Sequence, residues 1–403
     1  MTVNARNAAL SITLLASLAS FGWAAPALAE KDNEWDIAPR GRLQIDAGDL
    51  SASDTVTTAA GGLPSDVFVR RFFLGFDAKL PGNLAIRAEA DIAPEFEHAD
   101  WTWTDLYLQW TPSKKLSLTL GQTKPAYGLE EQTSDLFPSM MERAAIHTAF
   151  GNERRFGLTG QYVEKDFVLQ AGAYLDDIDS IIDSVDQGHS FFGRAVYAPK
   201  IGKGRLHLGA RMNRRELDDA GVGIRYSTRP FLRTEDARFV NTGTISGVTS
   251  ETGYGLEFAY INGPFEATGE AHWQHASRIG GLPDPTFSGF YAEVGYFLTK
   301  GDTRGYKNGQ WDRTKPANPV GKGGIGAVQV NLRYDHLDLN DAAAGFIGGK
   351  QDAYAVGLSW TPTNRTRVIL NYARLHFEDS AISVGGDRSY GANAIGTRLQ
   401  FDF

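Results

Sequence analysis

The sequence predicts an all-β protein, a 16-stranded antiparallel transmembrane β-barrel. Three observations predict it. Stretch after stretch alternates apolar and charged residues with period two; the connections between them alternate between short and long; and the last stretch, GTRLQFDF, carries the alternation to a terminal phenylalanine. Composition agrees: 42% of residues are hydrophobic and 11% aromatic, and the 45 glycines mostly fall with Asn, Asp and Pro between strand-favouring segments.

The first element is a signal peptide over residues 1–29. Arg6 supplies a positive start, Ala8 to Trp23 a mostly apolar run, and Ala27-Leu28-Ala29 a small-residue cleavage site, which leaves a barrel domain over 30–403. No later segment is long and apolar enough for a transmembrane helix. The chain has no cysteine, which excludes a disulfide scaffold and thiol chemistry in an exported protein. A net charge of −8 argues against a nucleic-acid partner, though not against a positive patch inside the fold.

Strands are read in order. At 41–48, Leu43, Ile45 and Ala47 alternate with Arg42, Gln44 and Asp46. At 69–80, VRRFFLGFDAKL sets Phe72, Leu74, Phe76, Ala78 and Leu80 against Arg71, Phe73, Gly75, Asp77 and Lys79. Strict alternation sends Arg71 to the charged face and Arg70 to the other, unless a bulge turns Arg70 in. At 83–92, Ile86, Ala88 and Ala90 oppose Arg87, Glu89 and Asp91; at 105–110, Leu106, Leu108 and Trp110 oppose Asp105, Tyr107 and Gln109. LSLTLG follows at 116–121. Eleven more lie near 154–163, 166–175, 190–199, 204–215, 252–261, 263–275, 287–299, 325–336, 351–361, 365–377 and 390–403. A stretch at 222–233 contains Pro230 and reads as loop.

The connections at 80–83, 111–115, 163–166, 199–204, 261–264 and 361–365 are short, whereas 49–66, 122–152, 176–189, 216–251, 300–323 and 378–389 are long. Short turns on one rim and long loops on the other is the pattern of an outer-membrane barrel. A soluble sandwich also alternates, but its inner faces cannot hold so many charges without partners, and Trp101, Trp103, Trp110, Tyr162, Tyr197, Tyr296, Trp360 and Tyr372 sit near strand ends on the apolar face, as a lipid-interface girdle requires.

The motifs GRLQID (41–46), VRRFFLGFDAKL (69–80), LTLGQTKPAYGLEEQTS (118–134), MMERA (140–144) and YAEVGYFLTKGDTRGYK (291–307), with the stretch 193–200, resemble the phosphate-selective porin O/P family over almost the whole mature chain. The resemblance implies an outer-membrane channel of a Gram-negative bacterium, usually a homotrimer, whose third loop folds inward and constricts the pore. It assigns that loop to 122–152, with SMMERAAIH giving one or two helical turns. It implies that Arg42, Arg70, Arg71 and Arg143 line the path of small anions, phosphate or phosphorylated solutes. The run 224–239, with Arg225, Arg229, Arg233 and Arg238, resembles the family's arginine row; the other reading is a solvated loop. Arginine suits the task because its fork of donors matches phosphate and does not titrate.

The chain departs from the family twice. A lysine expected after GLE is Glu131, and one expected on the third strand is Ala85; Arg87, on the same face, can replace the second, and Lys124 partly offsets the first. Glu131 either opposes the arginine field or is neutralised by Lys124 or Arg143. The first is the preferred reading, since a loop lining water gives a carboxylate little reason to pair tightly. A weakly selective general diffusion porin is therefore the alternative, with a non-conducting structural or adhesive barrel as the rival from another class. Truncating Arg398, near the final turn, is expected to change anion preference and phosphate block far less than truncating Arg143.

Neither G-x-S-x-G nor H-E-x-x-H occurs, and His272 and His275 fall on opposite faces of one strand, so no catalytic, metal or cofactor role is expected. The acidic run 176–186 reads as a solvated loop rather than a cation site. The expected partners are outer-membrane lipid and lipopolysaccharide, and the barrel-assembly machinery through Phe403.

Overall fold

The computed structural model describes residues 35–93, 101–178, 188–217, 223–233 and 236–403. The predicted signal peptide and most of the acidic run lie outside them. Sixteen long strands stand among the described residues: β1 (Asp36–Ser51), β2 (Asp66–Leu80), β3 (Leu84–Asp91), β4 (Thr102–Trp110), β5 (Leu116–Thr123), β6 (Arg155–Glu164), β7 (Phe167–Tyr174) and β8 (His189–Tyr197) form the first half. The second half is β9 (Gly204–Glu216), β10 (Val248–Asn262), β11 (Phe265–Arg278), β12 (Thr286–Phe297), β13 (Ala327–Asp341), β14 (Phe346–Thr363), β15 (Thr366–Glu378) and β16 (Tyr390–Asp402). Every strand pairs antiparallel with the next, and β1 pairs with β16 from Arg42↔Asp402 to Ser51↔Asn393, which closes the sheet and leaves no edge. Each of the sixteen sequence segments falls on one of these strands.

The outward faces are apolar and exposed, including Trp101, Trp110, Tyr162, Tyr197, Tyr296, Trp360 and Tyr372. His272 is buried on the inner face, and His275 is part-exposed on the outer one.

The connections correct the sequence reading in one place. The long segment between β12 and β13 lies on the rim that carries the short turns and both termini, not with the long loops. Residues 342–345, on the long-loop rim, make only a tight turn. Length alternation therefore breaks once at each rim. The displaced segment folds back into the lumen as a small hairpin, Gly305–Lys307 against Gln310–Asp312. Arg194 donates to the Gly309 carbonyl (2.7 Å), and Trp311 packs with Leu129, Ala259 and Ile261.

The loop-side half of the lumen also holds an apolar core. Leu337, Leu339, Leu375 and Phe377 point inward from β13 and β15 and pack with Phe239, Val240 and Ile245 of the loop between β9 and β10. Phe239 stacks on Phe377 with ring centroids 4.6 Å apart. A short helix, α1 (Asp54–Ala59), capped by Ser53, adds Val56 to this core from the first loop.

Candidate functional site: an infolded loop against a charged wall

Residues 124–154, between β5 and β6, run inside the barrel and carry α2 (Leu129–Gln132) and α3 (Ala145–Ala149). The helical turns differ from expectation: Ser139–Glu142 is not helical, and α2 was not foreseen. The loop is fastened to the wall through its backbone. Leu129 N and Glu130 N donate to Glu270 of β11 (3.0 and 2.7 Å), Ala145 N to Asp335 of β13 (2.8 Å), and Met141 N to Asn371 of β15 (2.6 Å). Gly128 has φ 79°, and a Cβ there would lie 2.5 Å from Glu270 Oε2, so the tight entry into α2 requires glycine.

Ion pairs complete the fastening. Arg333 of β13 donates to Glu130 (2.6 Å) and also pairs with Glu293 of β12 (2.7 Å). Arg398 of β16 binds Asp46 (2.6 Å), Glu142 (3.0 Å) and the Met141 carbonyl (2.5 Å), and is fully buried. Arg398 is thus a central anchor of the loop, a structural role that its place near the chain end did not suggest. Its strand position gave no hint that a distant loop would descend onto it.

The predicted pore residues divide by environment. Gln44 pairs with Arg71 and Ile45 with Val69, so Arg70 is the extra residue of a β-bulge. Arg70 and Arg71 therefore both face inward; their side chains approach Glu142 and Asp135, each at 3.6 Å. A second bulge, in β4, sets Thr104 and Asp105 together opposite Glu89. Arg42 pairs with Glu89 (3.3 Å) and lies 4.6 Å from the centre of the Phe73 ring. Arg87 pairs with Asp77 (2.7 Å) and Asp105 (3.6 Å). Arg229 and Arg233 line a cavity of about 620 Å³ together with Arg70, Arg71, Lys124, Arg143 and Arg238, whereas Arg225 is exposed on its loop and absent from this lining. A regular spacing of four does not hold in a loop that bends at Pro230 and Phe231, the latter at φ 64°.

Glu131 is buried between two cations, 3.7 Å from Lys124 and 3.5 Å from Arg143. This is the paired alternative, not the preferred one. Burial alone would raise its carboxyl pKa, yet Arg143 and Lys124 hold it below the usual range. Asp135, among Arg71, Lys124 and Arg143, is held lower still. Burial, with Arg143 alongside, brings the Lys124 ammonium down to about 8 although Asp135 and Glu131 oppose the shift. The loop does border the cavity here, but it is packed closely enough on the wall that Glu131 sits between Lys124 and Arg143, so lining the lumen does not keep the carboxylate unpaired.

Exposure locates the open side of the lumen. Several side chains on and beside the β2–β6 wall stay partly exposed, 44% at Asp77, 29% at Arg87 and 19% at Arg154 at the end of the infolded loop, whereas Arg194, Glu257, Arg333 and Glu293 across the barrel are at 0–1%. Sequence reading missed Asp77, Asp105, Arg154, Asp135 and Glu142; the inward positions of β2 and β4 marked the first two, and the loop acids carried no periodicity.

A closed sixteen-stranded barrel with an apolar belt outside and a charged, loop-narrowed interior is an outer-membrane porin. The chain belongs to the phosphate-selective porin O and P family, whose model matches residues 37–403. An uncharacterised protein of Caulobacter vibrioides is 38% identical over 400 residues, covering 94% of this chain and 79% of its own length. Porin O of Pseudomonas aeruginosa is 27% identical, covering 93% and 90%. Among solved structures, the anion-selective porin from Comamonas acidovorans shares the fold, with a TM-score of 0.59 at 13% identity over 92% of this chain and all of that one. The protein is accordingly placed in the Gram-negative outer membrane. Members of this family are channels rather than enzymes.

Proposed function

We propose that the protein is a homotrimeric channel that passes small anions, phosphate and phosphorylated solutes among them, past an arginine-lined constriction formed by residues 124–154. The observation that carries this reading is the cavity above that loop, where Arg70, Arg71, Arg143, Arg229, Arg233 and Arg238 converge from a bulged strand and two separate loops. Guanidinium groups drawn together around one cavity create a local positive field despite the net charge of −8. The carboxylates among them keep any single site from holding an anion too tightly for flux. Family membership and the likeness in fold to an anion-selective porin support the same reading.

The test is a planar-bilayer recording in a salt gradient. Open channels with a reversal potential displaced toward chloride are expected, and phosphate added to one side should block part of the chloride current. Cation preference at neutral pH would refute the proposal, and an absence of conductance would favour a structural or adhesive barrel.

A further inference from the structure

We infer that the cavity selects zwitterionic phosphate esters, solutes that carry a phosphate and an ammonium group a few bonds apart, over simple phosphate. The inference rests on the anion-channel reading of the same site. Among the described residues, the cavity lining holds eight arginines and lysines but also six aspartates and glutamates. Their arrangement matters more than their number. Arg71 lies 3.6 Å from Asp135, Lys124 lies 3.4 Å from Asp135 and 3.7 Å from Glu131, and Arg143 reaches both acids. Asp135 and Glu131 are largely buried but still border the cavity.

A simple anion meets an obstacle here. If phosphate captures Arg71 or Arg143, the buried carboxylate it displaces loses one of its cations and gains new negative charge beside it. A solute with an added ammonium exchanges both halves of the pair at once: its phosphate takes the guanidinium and its ammonium takes the carboxylate. No protein charge is then left unmatched. Arginine also offers a forked donor set to the phosphate oxygens, while a carboxylate accepts one or two of the N–H donors of a primary ammonium. Discrimination therefore comes from the acids of this cavity, and a site made of arginines alone would lack it.

The experiment uses the full mature chain in planar bilayers at pH 7, with chloride current titrated by ethyl phosphate, 2-aminoethyl phosphate and ethylammonium. The first two differ only in the ammonium. Half-block by 2-aminoethyl phosphate is expected at a concentration about tenfold lower than for ethyl phosphate, with little block by ethylammonium. Asp135→Asn should close most of that gap by improving block by ethyl phosphate, and Glu131→Gln provides the same comparison should the first variant fail to fold. Equal or stronger block by ethyl phosphate in the wild type, or no block by either ester, overturns the inference. The reversal potential, read in the same recordings before any solute is added, tests the anion-channel reading separately: it can stand while this inference falls.

Discussion

Glu131 and Lys124 illustrate how a single side chain is set by its neighbours. With Lys124 and Arg143 both within 4 Å, Glu131→Lys would place three cations in one packed corner. Like charges about 4 Å apart repel by roughly 1–4 kcal/mol at effective dielectrics of 80 to 20. The expected outcome is a disturbed loop and noisier current, with no tightening of phosphate block; a tenfold tighter block in a quiet channel would show that the pairing is unimportant. Lys124 adds a pH dependence. Its ammonium titrates near 8, so it is charged at pH 7 and mostly neutral at pH 9. A cation beside the anion path is lost as pH rises, so chloride preference should fall between pH 7 and 9. Lys124→Met should show the lower preference already at pH 7 and a flatter profile, as read by reversal potentials.

At the scale of elements, a bulge and two anchors do what regular alternation cannot. The extra residue in β2 turns Arg70 inward beside Arg71 without moving the strand's apolar residues off the lipid face. The infolded loop stays in place through Arg333 and Arg398, each buried and each shared between the wall and the loop. Arg333→Met leaves Glu130 and Glu293 buried without their cation, and removing one partner of a buried ion pair costs about 3–5 kcal/mol. We expect a lower unfolding temperature by circular dichroism and fluctuating single-channel currents. Arg398→Ala should behave likewise, because Asp46 and Glu142 lose the same guanidinium. Conductance and stability at wild-type levels in both variants would mean that the backbone hydrogen bonds to Glu270, Asp335 and Asn371 suffice to hold the loop.

The whole molecule is a barrel whose lumen is largely filled. An apolar core occupies part of the loop side, and the hairpin 305–312 enters from the opposite rim and reaches the underside of the infolded loop. There Arg304 donates to the Phe137 carbonyl (2.5 Å), and Trp311 N donates to Thr133 Oγ1 (3.3 Å). Arg313 crosses to Asp402 of β16. The passage is left along β2–β6. Asp302 accepts a hydrogen bond from Ala317 N (2.7 Å), so the ends of the intruding segment already meet. Replacing 303–316 by a short Gly-Ser link should raise single-channel conductance while changing chloride preference little, since the arginine cavity lies on the other side of the loop. Unchanged conductance would place the limiting cross-section entirely at the infolded loop.

Much of this was legible along the chain. Period-two alternation at segments such as 41–48 and 83–92 determined the strands, their lipid faces and the barrel, because a strand's side chains must alternate and lipid accepts only one of the two faces. The arginines were visible as residue types, but their environment was not. A bulge shifts register by one residue with no signature in VRRFF, and a loop's destination depends on wall residues hundreds of positions away, as Arg333 with Glu130 and Arg398 with Glu142 show. The inward leucines of β13 and β15 could not be told from lipid-facing ones until the loops that cover them were in place. The sequence by itself determined the barrel and its charged interior, since local periodicity carries both. Only the tertiary structure decided that Glu131 is paired, that Arg70 turns in and that half the lumen is closed, because each depends on contacts between segments far apart in the chain.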